Sequence, residues 1–267
     1  MSIAKWTAPK IRSLKGNQKV VCLTAYDCTF ARWMDEAGVP LILVGDSLGM
    51  TVLGYGSTLP VTLDQMLHHT AAVCRGVTSA MVITDMPFMS YQVSVQQALE
   101  NAGRCLQEGG ADGVKLEGGK IRAESIRALV DNGIPVLGHI GLLPQSVKAM
   151  GGYRVQGKTE EAARQLIEEA KAVEDAGAFA LVLEAMPPSV AQAITEAVSL
   201  PTIGIGAGRS CDGQVLVIND LLGLTDKPPK FAKAYAKLGE ETRRAIAAYR
   251  DEVQSGAFPG DEQTYGA

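Results

Sequence analysis

A (β/α)8 barrel is the fold this sequence predicts, and three observations point to it. Short apolar runs recur along the chain as VVCLTAYD, LILVGDS, AMVITDM, GVKLEGG, PVLGHIG, FALVLEA, PTIGIGAG and VLVIND. Near-continuous apolar runs bounded by Gly or Pro mark strands buried on both faces, as in a parallel sheet. Helical patterns lie between most of them, and alternation at this count closes a barrel. The alternative, an open doubly wound sheet, wants a full G-x-G-x-x-G after its first strand, and none is present. The 267 residues suit one barrel domain spanning 1–267, with a polar tail at 255–267 expected to be loosely held.

The elements follow in order. MSIAKWTAPKIRSLKGNQK has no apolar core, so no signal peptide is expected. VVCLTAY ends at Asp27, placed to cap the helix DCTFARWMDEAG, which stops at Gly38. LILV runs into Gly45, Asp46 and Ser47, and the long connection SLGMTVLGYGSTLPVT leads to the helix VTLDQMLHHTAAVCRG. MVIT ends in Asp85, and Ser94 with Gln97 opens the helix that stops at Gly109. GVKL ends in Glu117 with Lys115 two residues earlier, and VLG ends in His139 before a second long connection, GLLPQSVKAMGGYRVQGKT. EEAARQLIEEAKAVEDAGA stops at Gly177, LVL ends in Glu184, and KFAKAYAKLGEETRRAIAAYRDEVQSG reads as a C-terminal helix. Long loops on a compact scaffold are usually lids or interface segments.

Composition narrows the function. The net charge of −4 shows no basic excess, so nucleic acid is not an expected partner. No apolar stretch approaches the roughly 20 residues of a membrane helix. Cys22, Cys28, Cys74, Cys105 and Cys211 are odd in number and form no C-x-x-C, which reads as free thiols in a reducing cytoplasm.

Barrel enzymes work at the C-terminal ends of their strands. Asp46, Asp85, Glu117, Lys115, His139 and Glu184 all fall there. Singly, each has a plain alternative: Asp46 as a helix cap, Lys115 with Glu117 as a structural ion pair, His139 as a core residue, Glu184 as a loop pair. Together they describe a polar mouth. Lys115 and Glu117 share one strand face and cannot cheaply face a dry layer. Asp46, Asp85 and Glu117 are hard oxygen ligands, and His68, His69 and His139 show no zinc spacing. A few carboxylates with positions left for water and substrate suit Mg2+, which would chelate a small 2-oxo acid and act as a Lewis acid. Lys115 would balance charge and Glu184 would serve as base. The glycines of TIGIGAGRSCDGQ match neither phosphate-binding spacing and read either as a phosphate loop or as close packing.

The chain resembles the ketopantoate hydroxymethyltransferase family. The resemblance rests on TAYD (24–27), VGDSLGMTVLGYGSTLPVT (44–62), HHTAAVCRG (68–76), DMPFMSY (85–91), VKLEGG (114–119), GHIGLLPQSV (138–147), GGYRVQGK (151–158), LVLE (181–184) and IGIGAG (203–208). It implies a magnesium-dependent (β/α)8 barrel of the phosphoenolpyruvate/pyruvate-like type, a homodecamer, and hydroxymethyl transfer from 5,10-methylenetetrahydrofolate to α-ketoisovalerate in pantothenate biosynthesis. It implies Asp46 and Asp85 as metal ligands and Glu117 as a further metal-side carboxylate. Asp46, Ser47, Asp85 and Lys115 become substrate contacts, His139 a site histidine placed with them, and Glu184 the proton acceptor. Two other readings compete. One is an oxo-acid lyase or mutase of the isocitrate lyase and phosphoenolpyruvate mutase type, whose K-x-C-G-H loop is absent. The other is a non-catalytic oxo-acid binding protein.

Overall fold

The computed structural model describes residues 4–266. By internal packing the chain divides into two compact units, Met1–Val217 and Ile218–Ala267.

The first unit is the expected closed barrel of eight parallel strands in sequential order. These are β1 (Val20–Thr24), β2 (Leu41–Val44), β3 (Met81–Asp85), β4 (Gly113–Glu117), β5 (Val136–Gly141), β6 (Ala180–Glu184), β7 (Thr202–Ile205) and β8 (Gly213–Leu216). The helices are α1 (Ala8–Arg12), α2 (Cys28–Glu36), α3 (Leu48–Thr51), α4 (Leu63–Gly76), α5 (Val95–Gln107), α6 (Ala123–Asp131), α7 (Glu160–Asp175) and α8 (Pro188–Ala197).

Strand alternation sorts the side chains into two cores. Val114, Leu116, Val136, Ile140, Leu181 and Leu183 pack outward in one buried cluster with helix residues such as Ala98, Ile126, Leu129, Val173 and Ile194. Val20, Cys22, Leu41, Leu43, Met81, Ile83, Leu137, Ala180 and Val182 form a second cluster inside the barrel, where Ile11 of α1 joins them. Extending that inward row by two residues reaches Asp85 on β3, His139 on β5 and Glu184 on β6. Lys115 and Glu117 share the inward face of β4, because their neighbours Val114 and Leu116 face outward. The barrel interior therefore changes from apolar to charged along its length.

Local signals set the helix starts. Asp27 Oδ1 accepts from the amides of Thr29 (2.7 Å) and Phe30 (3.0 Å) and caps α2. Thr62 and Gln65 form a reciprocal capping box on α4. Ser94 accepts from Gln97 N and caps α5, whose left-handed stop is Gly110 rather than Gly109. β8 begins two residues before the apolar run that predicted it, because its pairing with β1 aligns Gly213 with Val20.

The second unit holds α9 (Ile218–Leu221) and α10 (Leu238–Ser255). The helix expected from residue 230 begins only at Leu238. Before it, the amides of Ala232 and Tyr235 bond the carbonyls of Pro229 and Leu221, a turn geometry rather than a helical ladder. Among the described residues no helix is long and apolar enough to cross a membrane.

One side chain ties α2 to the entry of β3. Asp35 accepts from the amides of Thr78 (2.8 Å), Ser79 (3.0 Å) and Ala80 (2.6 Å) and from Ser79 Oγ (2.7 Å). Burial resists the charge, but these donors prevail and hold the carboxyl below its usual range. Because the folded pKa is depressed, this stabilisation is present at neutral pH and is lost as pH falls through that pKa. Asp35→Ala should lower the unfolding free energy by about 2–3 kcal/mol in urea at pH 7; an unchanged urea midpoint would contradict the assignment.

Candidate active site

The charged end of the barrel gathers the side chains the sequence singled out. Asp85 and Lys115 are register partners on neighbouring strands, and Lys115 Nζ lies 2.8 Å from Asp85 Oδ1, both buried. Lys115 thus pairs with Asp85 rather than with Glu117. Asp46 sits just beyond β2. It caps nothing: its backbone amide donates to Asp85 Oδ2 (3.3 Å), and its Oδ2 accepts from Gln145 Nε2 (2.9 Å). Glu117 Oε2 accepts from the Gln145 amide (3.1 Å). Ser47 Oγ is 2.9 Å from the phenol oxygen of Tyr26.

His139 is the register partner of Glu117. Its Nδ1 is 3.2 Å from Lys115 Nζ, and its Nε2 is 3.2 Å from Glu184 Oε2. An ammonium group only donates, so Nδ1 accepts and the ring proton sits on Nε2, which is buried without a hydrogen bond although Glu184 Oε2 is 3.2 Å away. Burial and the Lys115 charge both hold the imidazole well below its usual pKa, which keeps it neutral. Glu184 ends β6, and the next residue, Ala185, is held at φ 48°, a costly angle for a side chain bearing a Cβ. Hydrogen bonds on both sides of Ala185 retain it: its amide to Ile205 O (2.9 Å) and its carbonyl from Gln156 N (2.8 Å).

Electrostatics follow from crowding in a dry place. Burial, then the Asp85 charge, pushes the Asp46 carboxyl up to about 8. Burial lifts Glu184 to about 7, against the pull of Lys115. Glu117 is likewise raised well above the carboxylate range, first by burial. For Lys115 burial disfavours charge, but Asp85, Glu117 and Asp46 outweigh it and hold the ammonium above the usual lysine range. The mouth has more acid than base and favours added positive charge.

That surplus fits a divalent cation, within limits. Glu117 Oε1 is buried without a hydrogen bond and stands 3.8 Å from His139 Nδ1, an acceptor able to take water or metal. Yet among the described residues no three His, Cys, Asp or Glu side chains are grouped closely enough to hold an ion. Asp46, Asp85 and Glu117, the carboxylates read as the metal side, are not drawn into one such group. The adjacent pair Asp46 and Asp85 suits an ion that keeps several waters, as magnesium does.

Sequence reasoning missed Gln145, Tyr91 and Tyr26. Gln145 joins the two acidic sides of the mouth and is held by Tyr91 Oη (2.7 Å) and the Met86 carbonyl (2.9 Å). Its sequence signal was a glutamine after Pro144 in a loop rich in apolar residues. The two long connections meet where Tyr153 Oη lies 3.8 Å from Met50 Sδ. His69, set aside as a ligand, bonds the Tyr26 carbonyl through Nδ1 (2.7 Å). The IGIGAG glycines serve close packing: a Cβ at Gly204 would stand 2.9 Å from Cys211 Sγ, and one at Gly208 would stand 2.8 Å from Pro188.

Comparison with known proteins identifies the family of the chain. The sequence model of the family described as ketopantoate hydroxymethyltransferase matches residues 5–261. The 3-methyl-2-oxobutanoate hydroxymethyltransferase of Syntrophus aciditrophicus (strain SB) is 55% identical over 263 residues, covering 98% of this chain and 97% of its own. That of Dehalococcoides mccartyi (strain CBDB1) is 56% identical over 261 residues, covering 97% and 94%. Among solved structures, a phosphoenolpyruvate phosphomutase from Streptomyces platensis subsp. rosaceus has a TM-score of 0.61 at 14% identity, covering 94% of this chain and 88% of its own. A 2,3-dimethylmalate lyase of the phosphoenolpyruvate mutase/isocitrate lyase superfamily has a TM-score of 0.60 at 17% identity, covering 97% and 91%. At such identity these two structures show the fold alone.

Removing the buried ammonium should leave the acids uncompensated. Lys115→Met is expected to cost about 3–5 kcal/mol of stability at pH 7, with part of the loss recovered in acid as the carboxyls protonate. Equal urea midpoints for variant and parent at pH 7 would contradict that role.

Proposed function

The chain belongs to the ketopantoate hydroxymethyltransferase family, and from that premise we propose that it transfers a hydroxymethyl group from 5,10-methylenetetrahydrofolate to 3-methyl-2-oxobutanoate. The observation that carries this reading is the pairing of a buried carboxyl lifted to about 7, Glu184, with an acid-rich mouth holding Asp46, Asp85 and Lys115. A base matched to neutral pH beside a place for a chelated oxo acid suits proton removal next to a ketone.

In this proposal Asp46 and Asp85 hold Mg2+, with Glu117 contributing through water. When bound, the ion supplies Lewis-acid stabilisation of the negative charge that develops on the oxo acid. Ser47 and Lys115 take the substrate's anionic oxygens, Ser47 as a hydrogen-bond donor and Lys115 as a fixed charge. Glu184 removes the proton from the branched carbon beside the ketone. The imidazole of His139 lies beside the Glu184 carboxylate, with Nε2 3.2 Å from Oε2. The carbon so activated bonds to the folate methylene as its N10–CH2 bond opens, and water then supplies the hydroxyl as the remaining N5–CH2 bond breaks. Tetrahydrofolate leaves, its two nitrogens carrying the proton from the branched carbon and one from the water.

Self-association, up to the homodecamer that the resemblance implies, is also part of the proposal. It is supported by Ile246, Tyr249 and Val253 of α10, which are 63%, 58% and 47% exposed and recur at helical spacing. A cytoplasmic location and a place in pantothenate biosynthesis complete the reading; the five free cysteines support the former.

Two outcomes are expected. Glu184→Gln should retain 3-methyl-2-oxobutanoate but lose exchange of its branched C–H proton with deuterated water, read by proton NMR. In the parent protein that exchange should fall as pH is lowered through about 7, because the base must be ionised, and the variant should show no such limb; exchange at the parent rate would remove Glu184 from its role. Separately, EDTA should abolish folate-dependent product formation and Mg2+ should restore it, whereas full turnover in EDTA would exclude the metal from the reaction.

A further inference from the structure

Tyr26 follows β1 and lies almost wholly inside the protein, 5% exposed. A buried phenol needs partners for its hydroxyl. Thr24 Oγ1 donates to it at 2.8 Å, and Ser47 Oγ stands 2.9 Å away. A hydroxyl carries one proton and accepts from others. With the Thr24 proton already directed at the phenol oxygen, the phenol's own proton is available to Ser47 Oγ or to Thr51, which also bonds the phenol, and either oxygen of the Tyr26–Ser47 pair can be the donor. When the phenol donates to it, Ser47 has its single proton left to give.

Two further observations concern where that proton goes. Ser47 occupies the N-cap position of α3, where a serine usually spends its hydroxyl on the helix. Here its backbone is already helical (φ −53°, ψ −19°), and its side chain makes no capping bond. Thr51 Oγ1 donates to the Ser47 carbonyl at 3.0 Å and holds the residue in place. The approach is tight, since a Cβ at Gly45 would come within 2.8 Å of Ser47 Oγ. Burial raises the Tyr26 pKa, so the phenol keeps its proton and remains a donor.

We infer that Tyr26 is a positioning residue: by donating to Ser47 Oγ it commits the serine's only proton to the carboxylate of the bound oxo acid. The inference rests on the proposed function, in which Ser47 contacts that substrate. Without the phenol the serine would be free to turn and donate elsewhere, and the substrate would meet a hydroxyl that is not fixed in advance. Thr24, Tyr26 and Ser47 thus form a chain of hydroxyls leading toward the ligand.

Steady-state kinetics on the parent protein, Tyr26→Phe, Ser47→Ala and the double variant test this, with 3-methyl-2-oxobutanoate varied at saturating folate donor and Mg2+. Phenylalanine keeps the ring, so thermal midpoints should confirm a folded protein. Tyr26→Phe should raise KM for the oxo acid about tenfold, the scale of one lost oriented bond to a charged group, and leave kcat little changed. Ser47→Ala should raise KM at least as much, and the double variant should match Ser47→Ala alone, because Tyr26 acts only through the serine. An unchanged KM in Tyr26→Phe, or a double variant showing the product of the two single effects, would overturn the inference while leaving the proposed function standing. A folded parent protein with no turnover of this substrate would take down both.

Discussion

One ion pair organises the mouth of this barrel: Lys115 against Asp85 at 2.8 Å, buried on both sides. Taking two charges out of water is expensive, and a single pair rarely repays the cost with interest. Here the lysine faces more than one acid. Asp46 and Glu117 also raise its affinity for a proton, so the ammonium stays charged where burial alone would neutralise it. The same imbalance leaves carboxyl groups unsatisfied. Burial and mutual repulsion push Asp46 up to about 8, and a second positive charge is the simplest relief. The charge surplus and a carboxyl held near neutrality at Glu184 are consequences of one arrangement.

The barrel makes that arrangement affordable. Each strand sends alternate residues inward and outward, so β4 can place Val114 and Leu116 in the outer core while Lys115 and Glu117 face in. The hydrophobic burial that closes the barrel comes from the other half of the same strands. Parallel register does the rest, setting Asp85 beside Lys115 and Glu117 beside His139. His139 then carries the arrangement across to Glu184, its Nδ1 3.2 Å from Lys115 Nζ and its Nε2 3.2 Å from Glu184 Oε2. The Asp85–Lys115 side and the Glu184 side of the mouth meet at this one ring.

Much of this was legible in the sequence because barrels put chemistry at strand ends, and the strands were marked by apolar runs. Asp85, Glu117 and Glu184 each end such a run, His139 lies within one, and the structure sets all four at one mouth. The partners were not legible in the same way. Gln145 bonds Asp46 across 99 positions of chain, and no local pattern announces a contact so distant. Tyr26 read as part of a strand end, since the hydrogen bonds of a phenol leave no trace in periodicity. Lys115 seemed matched to Glu117 by spacing, but the adjacent strand offered Asp85 in direct register. The late start of α10 and the early start of β8 have a common cause: backbone pairing outside the segment overrode local preference.

The most direct test of the central claim is an anomalous-scattering measurement on crystals soaked with Mn2+ and 3-methyl-2-oxobutanoate. The account predicts one metal peak per chain at the barrel mouth, within bonding distance of Asp46 and Asp85 carboxylate oxygens, and its disappearance in an Asp46→Asn, Asp85→Asn double variant. A peak bound by other side chains, or one that persists in the double variant, would contradict it.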